Sequence, residues 1–232
     1  MNTFMQNTLD ASIEREETIS KQRIAGAALC FAGIAFWLSW FLMPDPGTTD
    51  AGHILSIVKQ NRYDVFSSVI VQITSSIAYV VALTSIAQLF LPQRRITFWG
   101  LVLLGIGILG LCSDAFFHLL AFFMTDNTVT IQQDVVTVMA FMQTEGVVFL
   151  LPVLLPFFAG SIMLAIGLKK QGIISRVPQL LLSFALTLGP LCVVAAKTLL
   201  GYQGNFFSLA LLALVALSHV IIGYKLYQFK ST

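Results

Sequence analysis

Six apolar stretches dominate this chain, at residues 24–43, 65–91, 96–124, 146–168, 177–200 and 206–226. Each is about 20 residues or longer, the length of helix that crosses a hydrocarbon slab of about 30 Å. Lipid offers the backbone no hydrogen-bond partner, so a segment inside it must close its own ladder, as a helix does. The runs are continuous and rich in Leu, Ile, Ala and Phe, without the period-two alternation of a barrel strand. The predicted fold class is therefore all-α: a polytopic membrane bundle of six transmembrane helices, with short amphipathic helices on its outer surface. At 57% hydrophobic and 10% charged, with a mean hydropathy of +0.86, the chain leaves no room for a soluble domain. The first stretch follows a hydrophilic head of 23 residues and ends in Met43-Pro44-Asp45-Pro46, with no small-residue cleavage site, so it is expected to remain as a span.

The basic residues set a topology. Arg15, Lys21 and Arg23, then Arg94 and Arg95, then Lys169, Lys170 and Arg176, then Lys225 and Lys230 fall in alternate connections, while the intervening ones hold only Lys59 and Arg62. Cytoplasmic loops carry the excess of Lys and Arg, which predicts a multi-pass protein of the inner (plasma) membrane with both termini in the cytoplasm. The expected organisation is a polar cytoplasmic head at 1–23, a six-helix transmembrane domain at 24–226 and a cytoplasmic tail at 227–232. Asp45, Asp50, Asp64, Asp126 and Asp134 gather on the outer side, and Trp37, Trp40, Tyr63 and Tyr202 lie near that boundary as interfacial anchors. A net charge of +2, with scattered cations, excludes nucleic acid as a partner. Lipid is the expected partner, together with another membrane subunit or a second copy. Cys30, Cys112 and Cys192 all lie inside spans, which gives no basis for a disulfide framework or a thiolate metal site.

The outer connections after the first and third spans are long. In the former, Thr48, Thr49 or Asp50 is placed to cap a short helix carrying Ile54, Leu55 and Val58 on one side. In the latter, Ile131, Val135, Val138 and Met142 recur at helical spacing opposite Gln132, Gln133 and Asp134. A rod running unbroken from there through the fourth span would far exceed the bilayer, so a break is expected near Gly146. No internal repeat is visible that would mark an inverted-repeat transporter.

Function must be read from the few polar groups inside the spans. On the third, Gly107, Gly110, Asp114 and His118 follow at spacings of three, four and four, so they share one face. An Asp at mid-depth costs about 2.5–3.5 kcal/mol on insertion scales and is expected to face the bundle with a partner. The second span carries Asp64, Ser68, Gln72, Ser75 or Ser76, and Tyr79 as a polar stripe; the fifth carries Ser183, Thr187, Pro190 and Lys197; the sixth carries Ser208 and His219. Each has a plainer reading: interhelical hydrogen bonds for Asp114, His118 and the stripe, snorkelling to the headgroups for Lys197, helix-dipole stabilisation for Glu145, and packing for His219.

Three functions follow. The first is binding or transport of a small solute or proton through an outward-facing polar cavity lined by the second, third and fifth spans, with Asp114, His118, Gln72, Tyr79 and Lys197 as the binding residues. The second is an intramembrane metal-dependent hydrolase holding its ion on Asp114, His118 and His219, although the sixth span has no second histidine one turn from His219. The third is a non-catalytic subunit or assembly factor that docks through small-residue faces such as Ala28 and Ala32. No cofactor is implied, and an enzyme is the less favoured class.

Overall fold

The computed structural model describes residues 2–44, 50–90, 95–129, 132–189, 191, 195, 198 and 206–229, residues 2–14 and 132 by their backbone. These residues form helices α1 (Asn2–Leu42), α2 (Ala51–Gln60), α3 (Arg62–Phe90), α4 (Arg95–Met124), α5 (Gln132–Phe141), α6 (Val147–Lys170), α7 (Arg176–Ser183) and α8 (Phe206–Gln228). Among the described residues, five helical runs are long and apolar enough to cross a membrane. The fifth predicted span is described as an apolar helix over Arg176–Leu188; Pro190, Cys192, Lys197 and Tyr202 lie outside the described residues.

Neighbours in sequence are neighbours in space. Helix α1 packs on α3, α3 on α4, α4 on α6, α6 on α7 and α7 on α8, and α8 returns to α1, so the spanning helices close a ring in chain order. Short connections on one side enforce this sequence of contacts. Between α6 and α7 the chain turns in a few residues: Gly172 takes a left-handed φ of 77°, and the N–H groups of Gly172 and Ile173 close onto Lys169 O and Leu168 O. Inside the ring one core runs through Phe36, Tyr79, Leu104, Phe157, Leu182 and Ile222. Outside it, Leu109 is 64% and Phe149 78% exposed, part of an apolar belt around the bundle.

Glycine sets the closest approach in the ring. A Cβ on Gly107 or Gly160 would overlap the backbone of Phe157 or Leu104, and one on Gly110 would lie 2.6 Å from Val153, so α4 and α6 touch backbone to backbone. Gly26 and Gly223 do the same for α1 and α8.

At the end carrying the long connections, α2 packs against α5 and the adjacent ends of α3 and α4. Asp50 caps α2, its carboxylate accepting from the His53 N–H at 2.8 Å, as the sequence suggested for one of three residues. The amphipathic reading of α5 needs rotating: Met139 and Met142 are buried, whereas Val138 is exposed. The expected break at Gly146 is also absent. A π-turn over Met142–Gly146 joins α5 to α6 in one helical run of 38 residues, because one inserted residue shifts the facing side chains without stopping the helix. The polar head is likewise continuous with the first span in α1.

Arg62 clamps this end. Its guanidinium donates to Phe122 O at 3.1 Å and Thr125 Oγ1 at 3.0 Å, pairs with Asp126 at 3.2 Å, and stacks on the Phe122 ring. The Thr128 N–H and hydroxyl, aided by Arg62, hold the Asp126 carboxyl below its ordinary range. A depressed folded-state pKa gives stability that is present above the ordinary carboxylate pKa and disappears as pH falls through the folded value. Asp126→Asn should therefore lower the melting temperature near pH 7, with the difference from wild type closing as pH falls below about 4. A gap that stays constant down to pH 3 would assign the effect to shape and not to charge.

Candidate functional site

Asp114 is 7% exposed and turned into the bundle, not toward lipid. It stands on α4 beyond the glycines that draw α4 against α6, so the same helix that packs tightly at Gly107 and Gly110 opens at the next turns. Gln72 of α3 donates from one amide nitrogen to Asp114 Oδ2 at 2.8 Å and to Leu111 O at 3.1 Å. His118, one turn along, places Nδ1 4.0 Å from the same oxygen, too far for a hydrogen bond. That ring nitrogen is buried and has no partner among the described residues, and the same holds for the indole nitrogen of Trp40, whose ring meets His118 edge-on.

Asp114, His118 and Trp40 border a cavity of about 230 Å³. Trp40 and Met43 of the first span, Ile57 and Val58 of α2, Phe117 and Ala121 of α4, Met139 of α5 and Met142 at the π-turn form its wall. Its lining differs from the one expected from sequence. The second span contributes only Val65, and the described part of the fifth contributes nothing: Thr187 is exposed and turns its hydroxyl back to Ser183 O. The surface helices supply the missing wall, which is consequently apolar with a polar floor.

Tyr79 belongs elsewhere. Its hydroxyl donates to His219 Nδ1 at 2.8 Å, and His219 Nε2 lies 3.1 Å from Ser161 Oγ, which itself donates to Phe157 O at 2.7 Å. Because Ser161 spends its proton on that carbonyl, its oxygen accepts from Nε2–H, which fixes the neutral tautomer and satisfies every member. Tyr79 and His219 are fully buried and Ser161 is 1% exposed, with the Phe157 ring against both aromatic partners. An imidazole between two hydroxyls is the pattern of an activated nucleophile, yet here it is sealed and serves as a cross-brace of α3, α6 and α8.

The proposed metal set falls apart for the same reason. His219 has both ring nitrogens engaged while Asp114 and His118 sit at the cavity, and among the described residues no three His, Cys, Asp or Glu side chains come together as ligands. Lys197 lies outside the described residues. The remaining stripe on α3 works as helix glue: Ser68 donates to Ser39 O and Ser75 to Ala32 O, each stitching α3 to α1. Sequence reasoning passed over Ser161, Phe117 and the methionine wall. Ser161 is one hydroxyl in an apolar run, and a single small polar residue carries no signal until its partner on another helix is known. Comparison with family models, curated proteins and solved structures finds no match to this chain.

Proposed function

We propose that this protein binds a small solute in the cavity above Asp114 and His118, as a multi-pass inner-membrane protein with both termini in the cytoplasm. The observation that carries the reading is a cavity of about 230 Å³ ending on a buried carboxylate and an imidazole whose Nδ1 has no hydrogen-bond partner among the described residues. A void of about 150 Å³ already accommodates benzene, so this one has room for a molecule somewhat larger. The orientation rests on the Lys and Arg bias, which puts the cavity mouth on the side away from the cytoplasm.

Binding is better supported than passage. Inward of Asp114 and Gln72, the polar groups of α3 are already paired: Ser75 with Ala32 O, Ser76 with Gln72 O, and Tyr79 with His219. A transported solute or proton would have to break these bonds, each replaced by nothing in an apolar core.

Ala121 lines the cavity and is buried, which makes it a test position. With Cys30, Cys112 and Cys192 replaced by serine, Ala121→Cys should react with a small membrane-impermeant thiosulfonate added outside right-side-out vesicles. Leu164→Cys, in the sealed core, should stay unmodified. Equal inertness at both positions would rule out an accessible cavity, and reaction only from the inside would reverse the orientation.

A further inference from the structure

We infer that the cavity selects a small organic cation with an apolar body, an inference that rests on the cavity being a binding site. The floor and walls differ sharply in chemistry. Among the described residues, the Asp114 carboxylate receives a single side-chain hydrogen bond, from Gln72, and no lysine or arginine lines the cavity. A carboxylate removed from water is costly unless a cation or several donors compensate it. Gln72 supplies one donor and His118 stands 4.0 Å away, so most of that compensation is missing from the described protein groups. A cationic ligand would supply it.

The walls fit the rest of such a molecule. Trp40 and Phe117 put aromatic rings in the lining, and an aromatic face attracts an ammonium group through the ring quadrupole. Met43, Met139 and Met142 are all buried against the same space, and flexible thioether chains adapt to the outline of an apolar body. An anion would meet the Asp114 carboxylate with only the Trp40 indole N–H and the His118 ring among the described residues to offset the repulsion, and a neutral hydrocarbon would leave the carboxylate as it is. The cation is therefore a primary to quaternary ammonium of modest size, either a free solute or the headgroup of a membrane lipid.

Benzyltrimethylammonium and its uncharged isostere neopentylbenzene differ only in the central nitrogen or carbon. With the full-length protein in phosphatidylglycerol nanodiscs, calorimetric titration should show the cation binding at least about tenfold more tightly than the isostere. Asp114→Asn, whose amide oxygen can still accept from Gln72, should erase that preference, and Trp40→Leu should weaken the cation more than the isostere. Equal affinity for the two probes in wild type, or binding of neither, would overturn the cation assignment. Equal binding would leave the solute-binding reading intact, whereas an Ala121→Cys that no reagent reaches would remove both. Phosphatidylcholine in the discs distinguishes the sources: competition with the probe supports a lipid headgroup, and unchanged affinity supports a free solute.

Discussion

Gly107→Leu should yield no folded protein, and Gly107→Ala should cost at least about 3 kcal/mol, the upper range for overpacking a close contact. Any Cβ at this position overlaps Phe157 N and Cα, which are backbone atoms and cannot swing aside. Relief would require α4 and α6 to separate along a seam that also holds Gly100, Gly110, Gly160 and Gly167. Gly105, two residues away on the same helix, has nothing within 4 Å of its hypothetical Cβ. Gly105→Ala should therefore be neutral or stabilising by up to about 1 kcal/mol, because alanine is the better helix former. Thermal unfolding of the two variants in detergent checks the contrast. Similar melting temperatures would mean that the α4–α6 contact is not the tight seam described.

His219→Ala should cost about 3 kcal/mol, combining a side-chain void in the core with a Tyr79 hydroxyl left buried without an acceptor. Tyr79→Phe removes the hydroxyl but leaves the ring against Phe157, so its cost should be nearer 1 kcal/mol. The double variant should be less destabilised than the sum of the two, since the orphaned hydroxyl is then gone. Strict additivity would show that the Tyr79–His219 bond contributes nothing. Ser161 should not react with a fluorophosphonate in the folded protein, because its proton is committed to Phe157 O and the site is closed; labelling there would reopen a hydrolase reading.

Several features could be read before any coordinates. The inward orientation of Asp114 followed from the cost of a carboxylate in hydrocarbon, and the glycine face of the third span followed from its spacing. A cap for α2 among Thr48, Thr49 and Asp50, which proves to be Asp50, and the α3 stripe as glue rested on equally local chemistry. Tyr79 and Gln72, by contrast, lie two turns apart on one stripe yet serve different clusters, because Gln72 meets α4 and Tyr79 meets α8. Sequence spacing assigns a face, but a face several turns long crosses more than one neighbour. The break at Gly146 was argued from length alone, and length does not stop a helix: the run continues through a π-turn at Met142–Gly146, longer than a bilayer crossing needs.

Apolar length and the cost of an unpaired backbone in lipid determined from sequence alone that this chain is an all-helical membrane bundle, since both constraints act on each segment separately. The cavity was decided only by tertiary structure. Trp40, Val65, Asp114, Met139 and Leu150 come from five separate parts of the chain, and the void exists because two surface helices cover the place where α4 parts from its neighbours. Contacts between helices depend on their relative rotation and register, which no single helix encodes.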